Sequence, residues 1–156
     1  MVNHGVTSAA LFVMLALVRS RTGSSDISKL GGLWQSQPNL SAFFLLFAFA
    51  SLGLPGLANF AGEILILVGV FSSHPFWGMI AVVGVLLAAA YMLRLVQEVI
   101  WGPCCEPIDK HDLWPREWLI VVPLAALVIW LGCYPQPLLE SLREPVSLLL
   151  QLGGQP

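Results

Sequence analysis

Residues 51–71 read SLGLPGLANFAGEILILVGVF, an apolar run with a Gly-Leu-Pro-Gly interruption and one acid. The apolar character begins upstream at Ser41, and at 1.5 Å per residue an unbroken helix over Ser41–Phe71 would measure about 46 Å. That exceeds the roughly 30 Å of a hydrocarbon core. Pro55 lacks a backbone donor and clashes with the preceding turn, while Gly53 and Gly56 add backbone freedom. The segment therefore predicts two half-helices, Ser41–Leu52 and Ala58–Phe71, joined by an unwound stretch. Unwound backbone at membrane depth is tolerated only where protein or a wet cavity satisfies it, and in transporters such breaks mark the ion or substrate site.

The rest of the chain agrees with a membrane setting. Of 156 residues, 57% are hydrophobic and 10% charged, with mean hydropathy +0.81, whereas soluble domains carry about 25% charged residues. This composition excludes a soluble enzyme and a disordered chain. A net charge of −2 gives no footprint for nucleic acid. Cys104, Cys105 and Cys133 fit neither a disulfide framework nor a zinc template, and there is no phosphate loop, catalytic triad or haem ligand pair.

Three further apolar segments accompany the broken one: Val6–Val18, Phe76–Ile100 and Trp118–Tyr134. The last two are long enough to span, and period-2 alternation of a barrel is absent. The first is short, so the chain is expected to begin inside a helix continued from upstream sequence. No basic region precedes it, which argues against a signal peptide. The fold class is thus an all-α integral membrane protein of about four transmembrane helices, the first truncated and the second broken, forming a single membrane domain over 1–156. After Pro135-Gln136-Pro137, the residues Leu138, Leu139, Leu142, Val146, Leu149 and Leu150 recur at the spacing of an amphipathic surface helix.

Basic residues give an orientation. Arg19, Arg21 and Lys29 precede the broken helix, and Arg94, Lys110 and Arg116 flank the loop after the third segment. Arg143 stands alone on the other side. The positive-inside bias makes both basic loops cytoplasmic and both termini outward. Trp34, Trp77, Trp101, Trp114, Trp118 and Trp130 lie mostly near predicted span ends, as an aromatic belt does.

Between Leu30 and Leu93, Glu63 is the sole Asp, Glu, Lys or Arg. A charge at the bilayer centre costs about 2.5–3.5 kcal/mol on insertion scales, so a carboxylate there is protonated or paired. Its position two turns past Pro55 suits a proton relay; the plainer reading is a neutral Glu bonding a neighbouring helix. His4 is a second titratable group suited to neutral pH. Asn59 reads first as a cap for the second half-helix and otherwise as an interhelical bond. Arg94 and Glu98 stand at i, i+4, where pairing and snorkelling account for them, with Arg94 a possible supporting residue. His74 and His111 fall in predicted loops, and Cys104-Cys105 is no redox motif.

At this point the residues resemble a known family. SLGLPGLANFAGEILILVGVF is similar to the broken helix of the antiporter-like membrane subunits of respiratory complex I. NHGVTSAALFVMLALVRSRTGSSDISKLGGL (3–33) resembles their helix with a central His, YMLRLVQEVIWGP (91–103) the end of a later helix, and REWLIVVPLAALVIWLGCYPQPLLE (116–140) the last helix and its exit. The YPQP exit favours the subunit M branch. The resemblance implies a proton-translocating, non-redox subunit of an NADH-quinone oxidoreductase in a bacterial plasma membrane. It implies that Glu63 passes protons to the outer side and that His4 belongs to the same hydrophilic axis. It also implies no cofactor in this chain, with NADH, FMN, iron–sulfur clusters and quinone held elsewhere in the complex. The implied partners are other membrane subunits, including sister antiporter-like subunits, and the lipid bilayer. The family's earlier functional groups, a Glu and two Lys of preceding helices, have no counterpart here. Related chains of multi-subunit sodium/proton antiporters carry the same broken helix and form the alternative, alongside a structural module in which Glu63 only packs helices.

Overall fold

The computed structural model describes residues 1–23, 26–27, 30–103, 112–137, 139–141 and 145–147. Up to Cys133 the described residues form the helices α1 (Val2–Thr22), α2 (Leu33–Ser36), α3 (Pro38–Ser51), α4 (Ala58–Ser73), α5 (Pro75–Trp101) and α6 (Pro115–Cys133). No strand occurs among the described residues. Proline opens α3, α5 and α6, where its fixed φ suits the first turn and its missing N–H costs nothing. Gly23, at φ 70°, closes α1 and donates to Arg19 O.

Three helices, α1, α5 and α6, are long and apolar enough to cross a membrane. Helices α3 and α4 have 14 and 16 residues, or about 21 and 24 Å, so neither spans alone. The half-helices thus appear where the Gly-Leu-Pro-Gly interruption places them. The first helix departs from the short run expected. It extends from Val2 to Thr22, about 31 Å at 1.5 Å per residue. Hydropathy had marked only its apolar middle, and the polar ends carrying Asn3, His4, Arg19 and Arg21 continue the same helix.

The core is a strip along the middle helices. Thr7, Ala10, Met14 and Val18 of α1 form one buried stripe at spacings that keep them on one helix face. They share the core with Phe47 and Ala48 of α3, Val96 and Ile100 of α5, and Val121 and Val128 of α6. Phe43 of α3 meets Trp118 of α6 edge to face at 5.4 Å. The distal part of α4 and the first part of α5 instead turn apolar side chains outward, among them Ile66, Val68, Trp77 and Leu86, as lipid-facing surface does.

One end of the bundle is closed by polar contacts. Arg21, at the C-terminal end of α1, pairs with Glu117 in the first turn of α6 at 2.5 Å, with side chains 6% and 12% exposed. Glu117 also accepts the Trp114 N–H at 2.8 Å. Arg21 further donates to Leu17 O and Asp112 O. The Asp112 carboxylate accepts the N–H groups of Asn39 at 3.0 Å and Leu40 at 3.1 Å, two of the four donors that the start of a helix leaves unpaired. Helix α1 therefore runs antiparallel to α3 and α6. Gly31 lies against the backbone of Pro103, so the segments that follow α1 and α5 meet at this same end.

Lys29, Lys110, His111, Cys104, Cys105 and Arg143 lie outside the described residues, as do Leu138, Leu142, Leu149 and Leu150 of the expected amphipathic tail. In that tail, 136–137, 139–141 and 145–147 are helical.

Removing one member of a buried ion pair strands the other, at a cost of about 3–5 kcal/mol. Arg21→Leu is expected to lower the unfolding free energy of the detergent-solubilised protein by an amount in that range, read as a fall in its thermal unfolding midpoint. The exposed pair Arg94–Glu98 is the comparison, with Arg94→Leu changing that free energy by under about 1 kcal/mol.

Candidate functional site

The break between α3 and α4 is an ordered turn. Leu54 N–H donates to Phe49 O and Gly53 N–H to Ala50 O, both at 3.3 Å, with Gly53 left-handed at φ 64°. These two bonds form the Schellman motif that ends a helix. Pro55 follows and cannot donate. Gly56 turns the chain again at φ 88°, and Leu57 is extended and donates to Leu54 O at 3.0 Å. Helix α4 then starts at Ala58.

Two helices hold this turn. On one side, Gly132 of α6 lies so close that an added Cβ would fall on Gly56 O and the backbone of Leu57. The neighbouring Cys133 Sγ reaches Gly56 O at 3.6 Å. On the other side, α1 supplies hydrogen bonds. Asn3 Nδ2 donates to Ala58 O. Asn59 Nδ2 donates to Thr7 Oγ1 at 3.3 Å, and that hydroxyl approaches Asn3 O at 3.0 Å and His4 O at 3.1 Å. Asn59 does not cap α4: the N-cap position is Leu57, with no side-chain cap bond. It sits one residue inside the helix start, buried, and its amide reaches across to α1 instead.

Glu63 lies one turn beyond Asn59 on α4. Its carboxylate rests on the bare backbone of Gly53, where an added Cβ would overlap Oε2. Glu63, His4, Asn3, Asn59, Met1 and Pro135 line an open cleft of about 460 Å³. The His4 ring is exposed, with Nε2 3.5 Å from Ser8 Oγ, and lines the same cleft as Glu63. The cleft thus joins two titratable groups with room for water, and the unwound backbone meets it through the Glu63 carboxylate that rests on Gly53.

Of the residues singled out from the sequence, His4, Gly53, Gly56, Asn59 and Glu63 meet here. Arg94 does not line this cleft. It pairs with Glu98 at 3.0 Å on an exposed face of α5. Asn3, Thr7 and Gly132 are site residues the sequence reading did not select. Asn3 and Thr7 share a face of α1 at i, i+4, which is a usable signal, but a glycine at the end of α6 carries none. Among the described residues no group of three or more His, Cys, Asp or Glu is placed to hold a metal.

Comparison with known proteins gives the chain a family and a fold. The family described as NADH:quinone oxidoreductase/Mrp antiporter, TM, matches residues 1–88, which include α1, the break and α4. The chain is 44% identical over 142 residues to NADH-quinone oxidoreductase subunit M of Pseudomonas aeruginosa, covering 90% of this chain and 28% of that protein. It is 38% identical over 156 residues to the subunit M of Mycobacterium tuberculosis, covering 99% and 28%. It is also 38% identical to NADH-ubiquinone oxidoreductase chain 4 of Marchantia polymorpha, covering 98% and 31%. Among solved structures, a chain of respiratory complex I from Thermus thermophilus with bound NADH superposes with a TM-score of 0.72 at 34% identity, covering 78% of this chain and 26% of that one. The chain therefore spans under a third of the length of the curated relatives it matches.

The contact at Gly132 is backbone against backbone, so no flexible side chain can yield to an added methyl. Gly132→Ala is expected to destabilise the solubilised protein by about 1–3 kcal/mol, the usual cost of overpacking. A thermal unfolding midpoint equal to that of the parent chain would contradict this.

Proposed function

This chain belongs to the NADH:quinone oxidoreductase/Mrp antiporter membrane family, and on that premise we propose that it works as a proton-translocating, non-redox membrane part of an NADH-quinone oxidoreductase. It is a multi-pass membrane protein of the subunit M type. The observation that carries the proposal is the placement of the Glu63 carboxylate against Gly53, at the break, in a cleft shared with His4.

The physical case runs from cost to use. A carboxylate held among apolar helices carries an insertion cost that packing alone does not repay, which makes an ionisable residue there a functional candidate. Unwound backbone beside it needs hydrogen-bonding partners or a wet cavity, and the same water carries protons. In this reading Glu63 takes up and releases a proton, His4 exchanges with it across the cleft, and the turn at Gly53, Pro55 and Gly56 shapes the path. Direction comes only from surroundings that favour the protonated state at one stage and the ionised state at another. Asn59 and Asn3 hold α1 to the turn while this happens.

Electron transfer lies outside this chain. NADH, FMN, iron–sulfur clusters and quinone belong to other subunits of the complex, and sister antiporter-like subunits and lipid surround this one. The proposal extends to the setting: residues 1–156 act as a single membrane domain in a bacterial plasma membrane, with both basic loops cytoplasmic and the termini outward, following the positive-inside rule.

Glu63→Gln, introduced at the native locus, keeps the size and hydrogen-bonding capacity of the side chain and removes its proton chemistry. It is expected to leave the assembled complex on a native gel and to abolish most NADH-driven proton pumping in inverted membrane vesicles. Normal pumping by the assembled variant would sink the proposal. Loss of assembly with unchanged pumping per remaining complex would instead make Glu63 a packing residue.

A further inference from the structure

Two glycines in the break have positive φ, Gly53 at 64° and Gly56 at 88°. Both therefore avoid the strain that a side chain meets in the left-handed region. Only one of them has a second reason to be glycine. Around Gly56 nothing lies within 4 Å of where a Cβ would stand, whereas at Gly53 the nearest atoms are Oε2, Cδ and Oε1 of Glu63. The side chain of Glu63 reaches back from α4 along the break, and its carboxylate occupies the space that a methyl group at position 53 would fill.

We propose that Gly53 is a positioning residue for Glu63: its missing side chain is the seat that holds the carboxylate against the unwound backbone and at the edge of the cleft. The inference rests on the reading of Glu63 as a proton carrier. The colliding atoms are the far end of a flexible side chain, so an alanine at 53 is accommodated by withdrawal of Glu63 rather than by movement of the helices. Proton transfer needs donor and acceptor about 2.6–3.2 Å apart, directly or through one water. Withdrawal by an ångström or more therefore breaks the relay while the fold survives. Alanine at 56 imposes the left-handed strain alone and leaves the carboxylate seated.

The test compares Gly53→Ala, Gly56→Ala and Glu63→Gln at the native locus, each in the full complex. The readouts are assembly on a native gel and NADH-driven proton pumping per assembled complex. Gly53→Ala is expected to pump about tenfold or more below Gly56→Ala, within the loss of up to about 10²-fold that an ångström of misplacement brings. Equal effects of the two alanines would assign the requirement to backbone strain and overturn the proposal, as would undiminished pumping by Gly53→Ala. If Glu63→Gln itself pumps normally, it is the reading of Glu63 that fails; if it does not pump while the two alanines match, only the seat fails. Should Gly53→Ala not assemble, Glu63→Asp in the same background decides the matter. The shorter acid clears the added methyl and restores assembly if the seat is real, and a double variant that still fails to assemble overturns it.

Discussion

Backbone that leaves a helix at hydrocarbon depth has no water to bond, and each unpaired amide or carbonyl there costs several kcal/mol. The arrangement around residues 53–57 answers that constraint at the amides of Gly53, Leu54 and Leu57 and at the carbonyl of Gly56. The Schellman pair returns the amides of Gly53 and Leu54 to the end of α3, and Leu57 bonds back to Leu54. Proline removes one donor outright. The carbonyl of Ala58 is taken by Asn3, and that of Gly56 by Cys133. Helix α6 then comes close enough, through Gly132, to exclude everything else from that side. What remains open is the side facing Glu63 and His4.

The opposite end of the bundle is built differently. There Arg21, Glu117 and Asp112 tie the end of α1 to the starts of α3 and α6, and each polar group in the clasp serves another. A buried ion pair gains little net stability over a well-packed apolar contact, but it fixes register, because only one sliding position satisfies both charges and the helix amides together. The turn at the other end is held as well, by Gly132 of α6 and by Asn3 and Thr7 of α1.

The broken helix was legible because its causes are local. Gly-Leu-Pro-Gly removes a donor and supplies two left-handed positions within four residues, and the observed start of α4 at Ala58 coincides with the expected one. Glu63 stands out in the sequence by its isolation in an apolar stretch, and the structure places it in one cleft with His4. Asn59 was harder: a residue at a helix start looks like a cap, and only the fold reveals Thr7 opposite it, 52 residues away in sequence. Asp112 is the same problem in reverse, a loop acid whose carboxylate caps a helix 73 residues earlier. Hydropathy marks only the apolar part of α1, Val6–Val18, because it measures how apolar a residue is, and the helix extends past that part into Asn3 and Arg21.

The polar residues of α1 then make sense as a complement to its neighbour. Asn3 and Thr7 would be costly on a helix packed only against apolar surface, yet they stand at the level where α4 begins and are joined to it through Ala58 and Asn59. Their polarity is a consequence of the break next door. The side chains of His4 and Glu63 line the cleft beside that hydrogen-bonded seam, which His4 joins only through its backbone carbonyl. Structural need accounts for the amides and the hydroxyl, which are neutral and directional and suit the pairing of backbone groups. It does not account for two groups that can change charge. Within a few ångströms, neutral side chains close the turn and titratable ones face the cavity.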